Sequence, residues 1–155
     1  MEFHPSDNVV FAGLLTGEVK AFRYSEETGE ASSSWSTRPT KRTMRSVDMS
    51  ENGSVLWTGG KSGSILYVSN FSQLTISQID PSSGTVIKDR DGAHESPVNR
   101  ILCVNEQLVA SGDDEGVIKF WDTRQEDSIR TYTHHFDYIS DFTYFDDKRH
   151  LVSTS

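Results

Sequence analysis

The sequence predicts an all-β fold: β-propeller blades of four antiparallel strands, about three and a half of them, an incomplete propeller within 155 residues. Three observations carry this. A glycine-centred unit recurs, with Gly17, Gly63 and Gly116 lying 46 and 53 residues apart and Leu108 lying 43 before its counterpart Leu151. A period near 40–45 residues, lengthened by insertions and holding several short strands, is that of propeller blades and not of helical arrays. Finally, no stretch of about ten residues or more shows an apolar stripe at helical period.

The elements follow in order. Each unit opens with a short alternating strand that ends in a turn rich in Asp, Asn, Gly or Pro, such as His4-Pro5-Ser6-Asp7-Asn8 or Glu51-Asn52-Gly53. A second apolar strand ends on a small residue followed by glycine: Ala12-Gly13, Thr58-Gly59 and Ser111-Gly112. A tight turn around Gly17, Gly63 or Gly116 leads into a third alternating strand, because glycine reaches positive φ without a Cβ clash. Outer strands follow the polar turn Ser25 to Ser34 and occupy Ser128-Ile129-Arg130-Thr131-Tyr132. Asn70 to Ile79 reads as an insertion before the turn Asp80 to Gly84. The expected repeats span about 1–36, 44–88 and 94–132, with a truncated fourth from about 135 to 155. A part-propeller leaves sheet edges exposed, so self-association of the isolated chain is expected.

Composition narrows the function. Fifteen Lys and Arg against 23 Asp and Glu give a net charge of −8, which disfavours binding nucleic acid mainly through phosphate neutralisation. No apolar run is long enough for a membrane span and no basic-then-apolar leader follows Met1, so no membrane role is expected. A single cysteine, Cys103, cannot form an internal disulfide, which fits an intracellular, reducing compartment.

Ala93-His94, Ser111-Gly112 and Trp121-Asp122 give the third unit a clear likeness: it resembles a WD repeat. In that family a His, a Ser or Thr, an Asp in the tight turn and a Trp form a hydrogen-bonded tetrad that ties a blade together. The resemblance implies His94, Ser111, Glu115 and Trp121 as its members here, with Glu115 standing where Asp is usual and Asp114 as the alternative acid. The Trp position of the first two units holds Phe22 and Val68, so those units are expected to rely on apolar packing. More narrowly, the stretch from Ala93 to Ser155, with Arg45-Ser46-Val47 and Phe3-His4-Pro5, is similar to the nucleolar WD-repeat-containing protein 55 family and its fungal relatives. That resemblance implies a role in ribosomal RNA processing and ribosome assembly, in the nucleus and nucleolus.

Catalytic and metal readings fare worse than structural ones. His94, Ser111 and the acids at 113–115 have the residue types of a nucleophilic triad, but Ser111 ends an apolar strand without a nucleophile-elbow pattern, so no enzyme is expected. Three adjacent acids cannot supply a calcium site's six or more oxygen ligands, and His134-His135 has no completing Cys or His, so no metal or other cofactor is expected. Arg38-Pro39-Thr40-Lys41-Arg42-Thr43-Met44-Arg45 holds four cations and is the one local hint of an RNA contact. The expected function is a protein–protein interaction scaffold, with other proteins, pre-ribosomal components among them, as partners and no small-molecule substrate. The alternatives are an adaptor in another complex such as a ubiquitin ligase, or direct RNA binding through residues 38–45. The candidate partner-binding loops are those at Arg42, at Lys61, at Asp113 and Asp114, and from His135 to Tyr138.

Overall fold

Strands form where β-branched and aromatic residues alternate between turn formers, and fourteen of them appear in a computed structural model that describes residues 1–39, 42–61, 65–69, 84–90 and 93–155. The Ser62-Gly63 turn, the insertion from Asn70 to Ile79, the turn residues up to Ser83, and Thr40 and Lys41 of the basic stretch lie outside the described residues. The first sheet is a meander of β1 (Glu2–Phe3), β2 (Val9–Gly13), β3 (Val19–Tyr24) and β4 (Ala31–Thr37). The second contains β5 (Met44–Met49), β6 (Val55–Gly60), β7 (Ile65–Ser69) and β8 (Val86–Arg90). The third contains β9 (Val98–Asn105), β10 (Leu108–Asp113), β11 (Ile118–Asp122) and β12 (Ser128–Tyr132), and β13 (Asp141–Phe145) pairs with β14 (His150–Thr154) as a hairpin. All pairings within sheets are antiparallel. This is the all-β, four-stranded blade architecture that the sequence predicts.

The core lies between sheets. Val9, Phe11, Val19 and Ala21 of the first sheet bury against Met44, Val47 and Leu56 of the second. Trp57 of the second buries against Val98, Ile101, Val109 and Trp121 of the third, and Ala110 and Ile118 bury against Ile139 and Phe142 beyond it. Adjacent residues on β10, Val109 and Ala110, thus face opposite neighbours, and both faces of the third sheet are covered. Strand alternation accounts for this, since successive side chains point to opposite faces. Each fully buried Val, Ile or Phe contributes about 1.5–3 kcal/mol.

The recurrent glycine at the end of each second strand marks the closest approach between sheets. A Cβ on Gly13 would sit 2.9 Å from Met44 Cβ, one on Gly59 would sit 2.7 Å from both Ile101 Cδ1 and Val98 Cγ1, and one on Gly112 would sit 2.6 Å from Ile139 Cβ. Next to the glycine, the backbone links the sheets: Met44 N–H donates to Leu14 O at 3.1 Å, and Ile139 N–H donates to Asp113 O at 3.0 Å. At the outer side, Trp35 packs on Phe11 with ring centroids 5.8 Å apart.

These contacts grade the cost of a methyl group. Gly112→Ala meets the Cβ of a fully buried isoleucine, which cannot swing aside, and is expected to destabilise the full chain by about 1–3 kcal/mol. Gly59→Ala meets the ends of two side chains and should cost less. Chemical denaturation of both variants checks the order; an equal or reversed cost would contradict the packing described.

Candidate functional site

Strand order puts the turns between second and third strands at the same end of the blades as the loops that enter each first strand. The contacts agree: Arg38 Nε donates to Thr16 O at 3.1 Å, Lys61 N–H donates to Thr43 O at 2.9 Å, and Asp114 N–H donates to Pro97 O at 3.0 Å. This turn face carries every candidate residue of the sequence reading except those buried beneath it.

Beneath it lies a closed polar chain. Trp121 Nε1–H donates to Ser111 Oγ at 2.8 Å, Ser111 Oγ lies 2.7 Å from His94 Nε2, and His94 Nδ1 lies 2.8 Å from Asp113 Oδ2. His94, Ser111 and Asp113 are all buried. Burial pushes the His94 imidazole below its ordinary pKa of 6.5, with Asp113 opposing that shift only in part. A neutral ring satisfies every group in one direction: the indole donates to the hydroxyl, the hydroxyl to Nε2, and Nδ1–H to the carboxylate. Asp113 Oδ1 also accepts the turn amides of Glu115 at 3.0 Å and Val117 at 2.8 Å. Gly116, at φ 78°, makes that turn tight enough for both amides to reach it.

The acid of the tetrad is therefore Asp113, and neither Glu115 nor Asp114 takes that place. Glu115 is exposed, with Oε1 accepting a 3.4 Å bond from Ser96 Oγ. The reason is geometric: Asp113 is two residues from Ser111 on one strand, so both face His94, whereas Glu115 lies within the turn. Asp113, counted among the loop residues open to partners, is buried instead, because its carboxylate is occupied by His94 and the turn.

The other candidates lie on the surface. Asp114 Oδ1 accepts from Arg45 Nη1 at 2.7 Å and from Asn99 Nδ2 at 2.6 Å, and Asn99 Oδ1 also accepts from Arg45. Arg45 belongs to β5 and its charge is matched by Asp114, while Arg38 Nε is bonded to Thr16 O. Arg42 and Lys61 are exposed; His135 is half-buried with Nε2 2.7 Å from Ser153 Oγ; Tyr138 is exposed.

Sequence reasoning missed two polar links between sheets. Ile101 N–H donates to Ser46 Oγ at 2.9 Å, and Cys103 N–H donates to Asp48 Oδ2. The two acceptors alternate on β5 and take successive same-side amides of β9, so the second sheet is not held by apolar packing alone. The signal was present as an Asp at an alternating position of a first strand. Burial raises Asp48 to about 6, and burial with the nearby Asp48 charge raises the Cys103 thiol to about 12, leaving it protonated. Among the described residues no three His, Cys, Asp or Glu side chains converge to hold a metal, and no helix is long and apolar enough to cross a membrane.

Chemically, Ser111, His94 and Asp113 have the order and distances of a nucleophilic triad, but Ser111 is wholly buried and Trp121 donates to its hydroxyl. A nucleophile needs an open approach and a nearby oxyanion site. The arrangement ties strands and the tight turn together.

Residues 85–122 match the WD domain, G-beta repeat. The chain is 59% identical over 153 residues, 99% of its length, to WD repeat-containing protein JIP5 of Cryptococcus neoformans var. neoformans serotype D (strain B-3501A). It is 34% identical over 155 residues, 100% of its length, to WD repeat-containing protein 55 of Arabidopsis thaliana. In each case it covers 40% of the relative, so the chain spans about two fifths of the length of the curated relatives it matches. Among solved structures it is similar to Chaetomium thermophilum Sqt1 bound to the N-terminus of the ribosomal protein L10, with TM-score 0.77 and 20% identity, covering 98% of this chain and 39% of that one. The resemblance to WD-repeat proteins of the protein 55 and JIP5 type extends over essentially the whole chain.

Two stability predictions separate these roles. Asp113→Ala strands the His94 N–H and two turn amides and is expected to cost at least about 2 kcal/mol, whereas Glu115→Ala should stay within about 0.5 kcal/mol; denaturation midpoints read both. The pH dependences run in opposite directions. For His94 the folded pKa is depressed, so its contribution is complete above pH 6.5 and lost as pH falls through the folded value. For Asp48 the folded pKa is raised, so its contribution is fullest below 3.8 and lost as pH rises through about 6. Asp48→Asn keeps an acceptor for Cys103 N–H and should raise stability at pH 7.5 by on the order of 1 kcal/mol, and by less at pH 4.5. Thermal melts at the two pH values check this; an equal gain at both would remove the ionisation argument.

Proposed function

We propose that this chain forms part of a protein-interaction scaffold in ribosome biogenesis and ribosomal RNA processing, acting in the nucleus and nucleolus. The observation that carries the reading is the resemblance to WD repeat-containing proteins 55 and JIP5 along 99–100% of the chain, because that family is linked to ribosome assembly. The turn face is the contact surface in this proposal: its loops are held by the tetrad and by backbone bonds between sheets, so it offers a preorganised surface to a partner. A protein of the same fold, Sqt1, is bound to a ribosomal-protein segment, which supports pre-ribosomal proteins as the partner class. The ion pair of Arg45 with Asp114 and the bond of Arg38 to Thr16 O favour protein over RNA as the direct partner.

Affinity capture of the full chain from cell lysate, with and without nuclease, tests the proposal. Pre-ribosomal proteins that persist after nuclease treatment are the expected result. Loss of all of them on nuclease treatment would assign the link to RNA, and recovery of an unrelated complex such as a ubiquitin ligase would reject ribosome assembly.

A further inference from the structure

Phe136 is fully exposed, the largest apolar exposure among the described residues, and Tyr138 two positions on is also exposed. Their loop, between β12 and β13, is nevertheless pinned on both sides. A Cβ on Gly116 would sit 2.7 Å from Asp137 O and 2.8 Å from His135 O, so the loop lies directly on the neighbouring turn. His135 Nε2 is 2.7 Å from Ser153 Oγ, and the wholly buried Ile139 donates its N–H to Asp113 O at 3.0 Å. An aromatic side chain on a fixed backbone and left in water has only its own rotamer to order on binding, which suits an interface anchor. Beside it, a shallow cavity of about 530 Å³ opens between Tyr138 and Asp114, with Arg45, Asn99 and Ser140 around it.

Two exposed carboxylates, Glu115 and Asp137, flank these rings. Glu95, Glu115 and Asp137 are exposed and form no ion pair with a described residue. Two arginines of this face are matched by carboxylates, Arg45 by Asp114 at 2.7 Å and Arg100 by Asp141 at 2.7 Å, while Lys119 Nζ donates to Ala93 O at 2.7 Å. Glu115 is joined to this patch through Ser96 on one side and Gly116 on the other.

We propose that the patch formed by Phe136, Tyr138, Glu115 and Asp137 docks a basic protein segment, whose Lys or Arg side chains meet the two carboxylates while a guanidinium or apolar side chain stacks on the exposed rings. The negative field excludes a polyanion here and attracts a cationic chain, and aromatic faces reward cations placed over them. The inference rests on the protein-binding reading of the turn face but not on ribosome assembly.

The test uses the full chain and a fluorescein-labelled peptide of about twelve residues alternating Arg or Lys with Leu, beside a control with Glu at the basic positions, titrated by fluorescence anisotropy. Binding of the basic peptide alone is expected, with Phe136→Ala and the double change E115K/D137K each weakening it about tenfold or more. E26K/E27K, which reverses two exposed acids in the turn at the opposite end of the first sheet, should leave affinity unchanged. An equal loss with E26K/E27K, binding of the acidic control, no effect of Phe136→Ala, or no binding at all would each overturn the proposal. The substituted side chains are exposed, so unchanged melting temperatures establish that losses are local. Capture of non-ribosomal proteins alongside intact peptide binding would reject ribosome assembly while leaving this patch in place.

Discussion

Each sheet after the first meets a glycine of the sheet before it, at or just before its first strand, and the rest of the structure follows from how close that contact is. Gly13, Gly59 and Gly112 leave no room for a Cβ, so Met44, Val98 with Ile101, and Ile139 reach into the preceding sheet. The apolar clusters that result run across sheets and not within them. Close approach also brings backbone groups into range, and the residue after the glycine accepts a hydrogen bond at Leu14 from Met44 of β5 and at Asp113 from Ile139, just before β13. Asp113 therefore serves two structures at once: its carbonyl holds the next sheet through Ile139, while its carboxylate holds His94 and the turn.

That double use explains why the polar tetrad occurs in the third sheet and not in the first two. The positions matching Asp113 are Leu14 and Gly60, which cannot accept from a ring N–H through a side chain. The first sheet substitutes aromatic packing of Phe11 on Trp35, and the second substitutes Ser46 and Asp48, which reach across to amides of β9. The second solution has a pH-dependent cost, because Asp48 is a carboxylate held where burial disfavours its charge. A Ser-His-Asp chain at triad distances is thus a strand fastener here; the physical difference from a catalytic one is access, since indole and sheet close over the hydroxyl.

Rigidity below the turn face shapes what that face presents. Arg45, Asn99 and Asp114 join the second and third sheets at the surface and consume the charges they carry. Next to them, the loop holding Phe136 and Tyr138 has buried or bonded residues at either side and exposed rings between. A surface of fixed loops with Arg45 matched by Asp114 and open carboxylates at Glu115 and Asp137 suits a cationic protein segment better than nucleic acid, in line with the net charge of −8.

Much of this was legible in the residues alone. The alternating strands, the turn glycines and the small-residue–glycine pairs determine blades of antiparallel strands, because local steric preference and period are properties of the chain itself. His94, Ser111 and Trp121 are placed together by the resemblance of the third unit to a WD repeat. The tetrad's acid could not be placed that way, since Asp113, Asp114 and Glu115 are adjacent and only the strand register decides which carboxylate shares a face with Ser111 and His94. For the same reason the run from Arg38 to Arg45 reads as one basic patch, whereas folding sends Arg45 to a carboxylate sixty-nine residues away. Composition and period depend on neighbours in sequence; the partner of a charge and the exposure of a ring depend on neighbours in space, and those exist only once the sheets have packed.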